Sequence, residues 1–186
     1  MKRLRLWMVS GFLGAFGLCG TAAAAQQGPP MPTPGPEHQL LKMDEGTWDA
    51  VIEFMPGPGA PPMTSKGTEV NTMGCGGLCL ITDFKGEAMG TSFHGHGTVT
   101  WDVIKKKYAG SWTDSMSRGL SLSEGTWDPA AKKFTGTMEG PDMMGNLTKT
   151  RTVVEYRNGS RVMTAFAPGP DGKEMQVLKI TYTKRK

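Results

Sequence analysis

The chain has 186 residues, 38% of them hydrophobic, with 21 lysines and arginines against 17 acidic residues and three cysteines. Its formal charge of +4 misleads, because Lys2, Arg3 and Arg5 and no acidic residue fall in the first 25 positions, leaving 18 basic against 17 acidic residues, or +1, beyond them. The remaining basic block, Lys184-Arg185-Lys186, reads as a solvated terminus, so binding to nucleic acid by phosphate neutralisation is excluded as a leading function.

In chain order, residues 1–25 read as a secretory signal: a basic start, an apolar run from Leu6 to Leu18, and small residues at Ala23, Ala24 and Ala25. The run is shorter than the about 20 residues needed to cross a bilayer, and Leu18 stands before Cys19 where lipidation expects a small residue. The expected mature chain starts at or near Gln26, is periplasmic or secreted, and has no integral membrane segment. Residues 26–36, "QQGPPMPTPGP", form a tether, since prolines lack amide donors and favour extended backbone. Residues 37–186 then make one domain of ordinary size with one core.

The domain begins with apolar spacing at Leu40, Leu41 and Met43, enough for a turn or two of helix, and thereafter has period two. Trp48, Ala50, Ile52 and Phe54 alternate with Asp49, Val51 and Glu53. The same alternation runs through Leu78–Phe84, Phe93–Trp101, Tyr108–Trp112 and Leu178–Tyr182, rich in the β-branched and aromatic residues that suit a half-buried pleated surface. Turn chemistry such as Asn158-Gly159 and Asp171-Gly172 separates the runs. The expected strands are 46–55, 64–73, 78–87, 91–102, 107–115, 119–127, 133–140, 147–156, 160–167 and 175–184.

One pattern occurs twice. "TWDVIKKKYAGSW" from Thr100 returns as "TWDPAAKKFTGTM" from Thr126, with the same spacing at every matched position. The reading is a repeated hairpin: Asp102 or Asp128 bonds the turn backbone, and the preceding tryptophan packs across on Tyr108 or Phe134. The "GTWD" at Gly46–Asp49 opens a strand instead. About ten antiparallel strands in sequence leave two open edges unless they close, so the expected fold is all-β, an up-and-down barrel with a short N-terminal helix and an interior able to hold a small ligand.

The segment "HQLLKMDEGTWDAVIEF" resembles the start of lipocalin and calycin barrels, where that tryptophan closes one barrel end. More specifically, "PGPEHQLLKMDEGTWD", "GPGAPPMTSKGTE", "FKGEAMGTSFHGHGTVTWDVIKKKYAGSWTDSMSRGLSLSEGTWD" and "GPDGKEMQVLKITYTK" resemble the bacterial domain-of-unknown-function family 1579 over nearly all of the chain from Pro34. The resemblance implies a calycin-like domain with no assigned reaction and no catalytic residues to carry over. The chain departs from the family at His94 and His96, where an acidic and a basic residue are expected, and at Cys75 and Cys79.

Three features carry candidate chemistry. Cys75 and Cys79, in an exported chain, fit a disulfide, with two free core-facing thiols or a metal or redox role as the other readings. His94 and His96 share one strand face, opposite Phe93, Val99 and Trp101; they are either two solvated imidazoles or the ligands of zinc or copper, to which some of the 14 methionines could add soft donors. No hydrolase, phosphate-loop, zinc-protease or dinucleotide motif is present, Glu124, Glu139 and Glu155 read as solvated strand residues, and neither catalysis nor a cofactor is expected. The leading function is binding of a small apolar molecule, with Trp48, Trp101, Tyr108 and Trp112 facing the interior and Gly95, Gly97 and Gly110 leaving room beside them. Trp127 joins them only if Leu120 and Leu122 face the other way or a bulge intervenes.

Overall fold

The computed structural model describes residues 30–186. The signal at residues 1–25 and the tether as far as Pro29 lie outside the described residues. Thr33–Lys186 form one compact unit. A helix, α1 (His38–Asp44), leads into ten strands: β1 (Gly46–Phe54), β2 (Met63–Gly74), β3 (Cys79–Ala88), β4 (Thr91–Asp102), β5 (Lys107–Asp114), β6 (Ser121–Asp128), β7 (Lys133–Pro141), β8 (Leu147–Arg157), β9 (Ser160–Pro168) and β10 (Glu174–Lys184). Each strand pairs antiparallel with the next, and β10 returns to β1, from Trp48 opposite Lys184 to Phe54 opposite Leu178. The closed barrel leaves no edge strand among the described residues. No helix among them is long and apolar enough to cross a membrane.

The duplicated segment is a duplicated hairpin. Asp102 Oδ1 accepts the amides of Ile104 and Lys105, both at 2.9 Å, and Asp128 Oδ1 accepts those of Ala130 and Ala131 at 2.9 and 3.0 Å. Trp101 lies opposite Tyr108 with ring centroids 5.0 Å apart, and Trp127 lies opposite Phe134. The 26-residue period is therefore β4–β5 followed by β6–β7.

Register decides which residues face inward, because directly paired residues share a sheet face. Trp112 pairs with Ser121, Gly110 with Ser123 and Tyr108 with Gly125, so the inner face of β6 carries Ser121, Ser123 and Trp127. Leu120 and Leu122 are 57% and 59% exposed. No bulge intervenes: β6 turns Ser121 and Ser123 inward and Leu122 outward.

Helix α1 closes one end of the barrel. Leu40 and Leu41 bury against Leu80 and Tyr108, with Trp101 and Trp127 packed around them. The helix is anchored at both ends by groups from the barrel: Tyr108 Oη donates to the Glu37 carbonyl at 2.8 Å, and Trp48 Nε1 and Asn71 Nδ2 donate to the Asp44 carbonyl at 2.9 and 3.0 Å. The β2–β3 turn at the same end holds Cys75 and Cys79, joined by a disulfide with Cα atoms 5.5 Å apart. Gly76 and Gly77 take positive φ there, 66° and 91°, which lets the chain turn tightly enough to bring the cysteines together.

Candidate ligand cavity

Inside the barrel, above the end closed by α1, lies a cavity of about 740 Å³. This falls within the range typical of small-molecule sites, about 300–1,000 Å³. It extends towards the other end, where Phe54 and Met63 of the β1–β2 connection, Met89 and Gly90 of the β3–β4 turn and Pro141 at the end of β7 line it. That end is the mouth.

The walls differ in chemistry. Ile52, Phe84, Phe93, Trp112, Leu178 and Ile180 make an apolar side, part of a continuous cluster with Trp48 and Tyr182. The side built by β6 and β8 carries hydroxyls, from Ser121, Ser123, Thr148, Thr150 and Thr152. Thr148 and Thr150 bond the Gly140 and Met138 carbonyls on the neighbouring strand at 3.1 and 3.4 Å.

The floor is ionic. Arg161, 5% exposed, pairs through Nη1 with Asp44 and through Nη2 with Glu69. Its guanidinium packs on two rings, 4.5 Å from the Trp48 centroid and 4.4 Å from that of Tyr182. Glu69 also accepts Asn71 Nδ2 at 2.6 Å, Asn71 in turn accepts Thr82 Oγ1 at 2.6 Å, and Tyr156 Oη donates to Asp44 Oδ2 at 2.9 Å. The buried charges are paired, the condition under which a low-dielectric interior tolerates them. Arg161 Nη2 is hydrogen-bonded to Glu69, while Arg161 Nη1 and Asp44 Oδ1 meet as an ion pair without a hydrogen bond. Burial pushes the Asp44 carboxyl up, with Arg161 and Tyr156 pulling the other way. Burial and the neighbouring carboxylates hold the Tyr156 and Tyr182 hydroxyls well above the usual tyrosine value, so both are neutral donors. Burial opposes the charge on Arg161, but Asp44 and Glu69 more than offset it and keep the guanidinium protonated.

Of the four aromatic residues expected at the ligand, Tyr108 and Trp112 line the cavity. Trp48 and Trp101 face inward but lie beneath it: Trp48 is bonded to α1 and covered by Arg161, and Trp101 is packed with Tyr108 at the closed end. The glycines work differently from expectation. A Cβ on Gly95 would run into Cζ2 of Trp112, and one on Gly97 would lie 2.9 Å from its Cε3. The room that these two leave is occupied by the Trp112 indole, which lies flat against β4. Phe84 over Gly67 and Phe134 over Gly125 repeat the device. Trp112 is held from its other end by Asp114, whose Oδ2 accepts its Nε1 at 2.9 Å.

His94 and His96 lie on the outer face and are exposed. His96 Nδ1 is 2.8 Å from Asp83 Oδ1, and His94 Nε2 is 3.2 Å from Ser92 Oγ. Among the described residues no group of three or more His, Cys, Asp or Glu side chains is placed to hold a metal ion. Glu124, Glu139 and Glu155 are outward residues paired with lysines. Sequence reasoning missed Asp44, Glu69, Asn71 and Arg161. The available signal was parity: Arg161 shares its face of β9 with Met163 and Ala165, and Glu69 and Asn71 share theirs with Met73.

The sequence pattern of the family described as "Protein of unknown function (DUF1579)" matches residues 33–184. No curated protein matches the chain. Among solved structures it is similar to Rv2717c from M. tuberculosis, with a TM-score of 0.61 and 11% identity over 82% of this chain and 99% of that one. It is also similar to the S-type phycobiliprotein lyase CPES from Guillardia theta, with a TM-score of 0.55 and 10% identity over 81% and 93% of the two chains. At these identities the likeness is one of fold.

Proposed function

The chain belongs to the DUF1579 family, whose function is unknown, and from its cavity we propose that it binds a small, largely apolar molecule inside the barrel. The observation that carries this reading is the cavity of about 740 Å³, with an apolar wall of aromatic and aliphatic side chains, a wall of hydroxyls and an ionic floor. Such a combination binds apolar bodies by burial and orients them by polar contacts. The similarity to a phycobiliprotein lyase supports the fold and leaves the ligand of this chain to experiment. Trp112, on the cavity wall, is the reporter: an occupant displaces solvent from its indole and changes its emission. Titration of the protein with a panel of apolar compounds should give saturable changes in tryptophan fluorescence for some of them. A panel that leaves the emission unchanged overturns the proposal.

The same proposal places the protein outside the cytoplasm, with a mature chain that starts at or near Gln26. Its support is the basic, apolar and small-residue succession of residues 1–25. Intact mass of the protein recovered from the cell envelope tests it, and a chain that retains Met1–Ala25 contradicts it.

A further inference from the structure

The polar end of the ligand can be specified further, on the premise that the cavity binds one. Among the described residues that line the cavity, Arg161 is the only basic one, against four carboxylates, Asp44, Glu69, Glu87 and Asp114. In an apolar barrel a single deep arginine would ordinarily be the anchor for an anionic head group, because its planar fork matches a carboxylate or phosphate. Here the fork is taken. One terminal nitrogen is paired with Asp44, the other with Glu69, and the guanidinium is packed on the Trp48 and Tyr182 rings. To bind an anion, Arg161 would have to release a buried carboxylate, and leaving such a charge unpaired is costly.

The floor does have acceptor capacity left. A carboxylate has roughly four lone-pair sites; Asp44 and Glu69 use some of them on Arg161, Tyr156 and Asn71, and both line the cavity. The hydroxyls of Ser121 and Ser123 on the side wall can accept as well as donate. The arrangement welcomes a donor and repels a negative charge.

We propose that the ligand is an amphiphile whose apolar body fills the barrel and whose polar end is an uncharged or cationic hydrogen-bond donor, a hydroxyl or an ammonium, and that the barrel discriminates against anionic amphiphiles. Four probes of equal chain length test this on the full mature protein by fluorescence titration at pH 8: dodecanol, dodecylamine, dodecanoate and methyl dodecanoate. Dodecanol and dodecylamine should bind at least about tenfold more tightly than dodecanoate. Methyl dodecanoate removes the charge of the acid without supplying a donor and should bind more tightly than dodecanoate but more weakly than dodecanol, an arm that needs no variant and separates the charge from the donor. In Glu69→Gln the floor loses a negative charge and Arg161 is partly released, so the penalty on dodecanoate should shrink several-fold. If dodecanoate binds as tightly as dodecanol or more tightly, the discrimination proposed here is wrong while ligand binding itself stands. If none of the four binds, both fall together.

Discussion

Replacing Arg161 by methionine removes the cation of the cavity floor while keeping much of its aliphatic volume, and it leaves the Asp44 and Glu69 carboxylates together in a buried site. Breaking a buried ion pair by deleting one partner costs about 3–5 kcal/mol, because the remaining charge is uncompensated. The contacts of the guanidinium with Trp48 and Tyr182 are lost too, at about 0.5–2 kcal/mol for such an interaction. The terms share partners and do not add, so the expected loss at pH 7 is about 4 kcal/mol, a large part of the 5–15 kcal/mol typical of a whole domain. The pH dependence has a definite sign. Burial already raises the Asp44 carboxyl, and Arg161 is the main influence holding it down; without Arg161 it rises further above its unfolded value of about 4. A carboxyl raised on folding contributes stability that is fully present below the unfolded value and lost as pH climbs through the folded one. The deficit of the variant relative to the parent should therefore be larger at pH 7 than at pH 5. Urea unfolding followed by tryptophan fluorescence at both values measures it. A deficit below about 1 kcal/mol at pH 7, or one equal at the two pH values, would refute the account of the floor as a paired buried ion cluster.

Gly95→Ala should displace the Trp112 indole and cost about 1–3 kcal/mol, as overpacking does; Gly57→Ala, with open space around it, is the control and should stay within about 0.5 kcal/mol by thermal unfolding. Asp114 is pushed up by burial but more than offset by the bonds from Ser117, the Met116 amide and Trp112, so its carboxyl sits below the usual range. Its contribution is present above about pH 4 and lost as pH falls through its folded value; Asp114→Ala should cost about 2–3 kcal/mol at pH 7 and progressively less below pH 4, read from acid titrations of Trp112 emission. The Cys75–Cys79 bridge closes a loop of only a few residues, and loop entropy gives it about 2 kcal/mol. Reduction should therefore lower the unfolding midpoint modestly and leave a folded barrel, and global unfolding on reduction would contradict this.

The strand framework was legible because turn chemistry and two-residue alternation repeat along the chain: Asn158-Gly159 and the doubled Trp-Asp hairpin alone locate six of the strands. What alternation does not say is which parity faces inward. At β6 the rule that apolar residues are buried would take Leu122, and Leu120 just before the strand, inside, but pairing with Trp112 and Gly110 commits Ser121 and Ser123 to the interior. In β2 it would bury Val70, which is 41% exposed, and expose Glu69, which is buried on Arg161. A barrel with a polar floor inverts the usual pattern at the residues that define its site. The ion cluster was further hidden by distance in sequence, since Asp44, Glu69 and Arg161 come from α1, β2 and β9 and meet only when β10 closes on β1. The aromatic prediction separated along the same axis: Tyr108 and Trp112 reach the cavity, while Trp48 and Trp101 lie at the closed end, a difference of depth that period-two reading does not resolve.

Native mass spectrometry of the protein, recovered from its own cells under gentle conditions and then mixed with dodecanol, bears most directly on the binding proposal. The account predicts a one-to-one adduct, either a molecule that copurifies or bound dodecanol, and its loss in Ala165→Trp, where an indole grows from the cavity wall into the space of the ligand. A bare polypeptide mass before and after addition would contradict it and leave the barrel as a scaffold without an occupant.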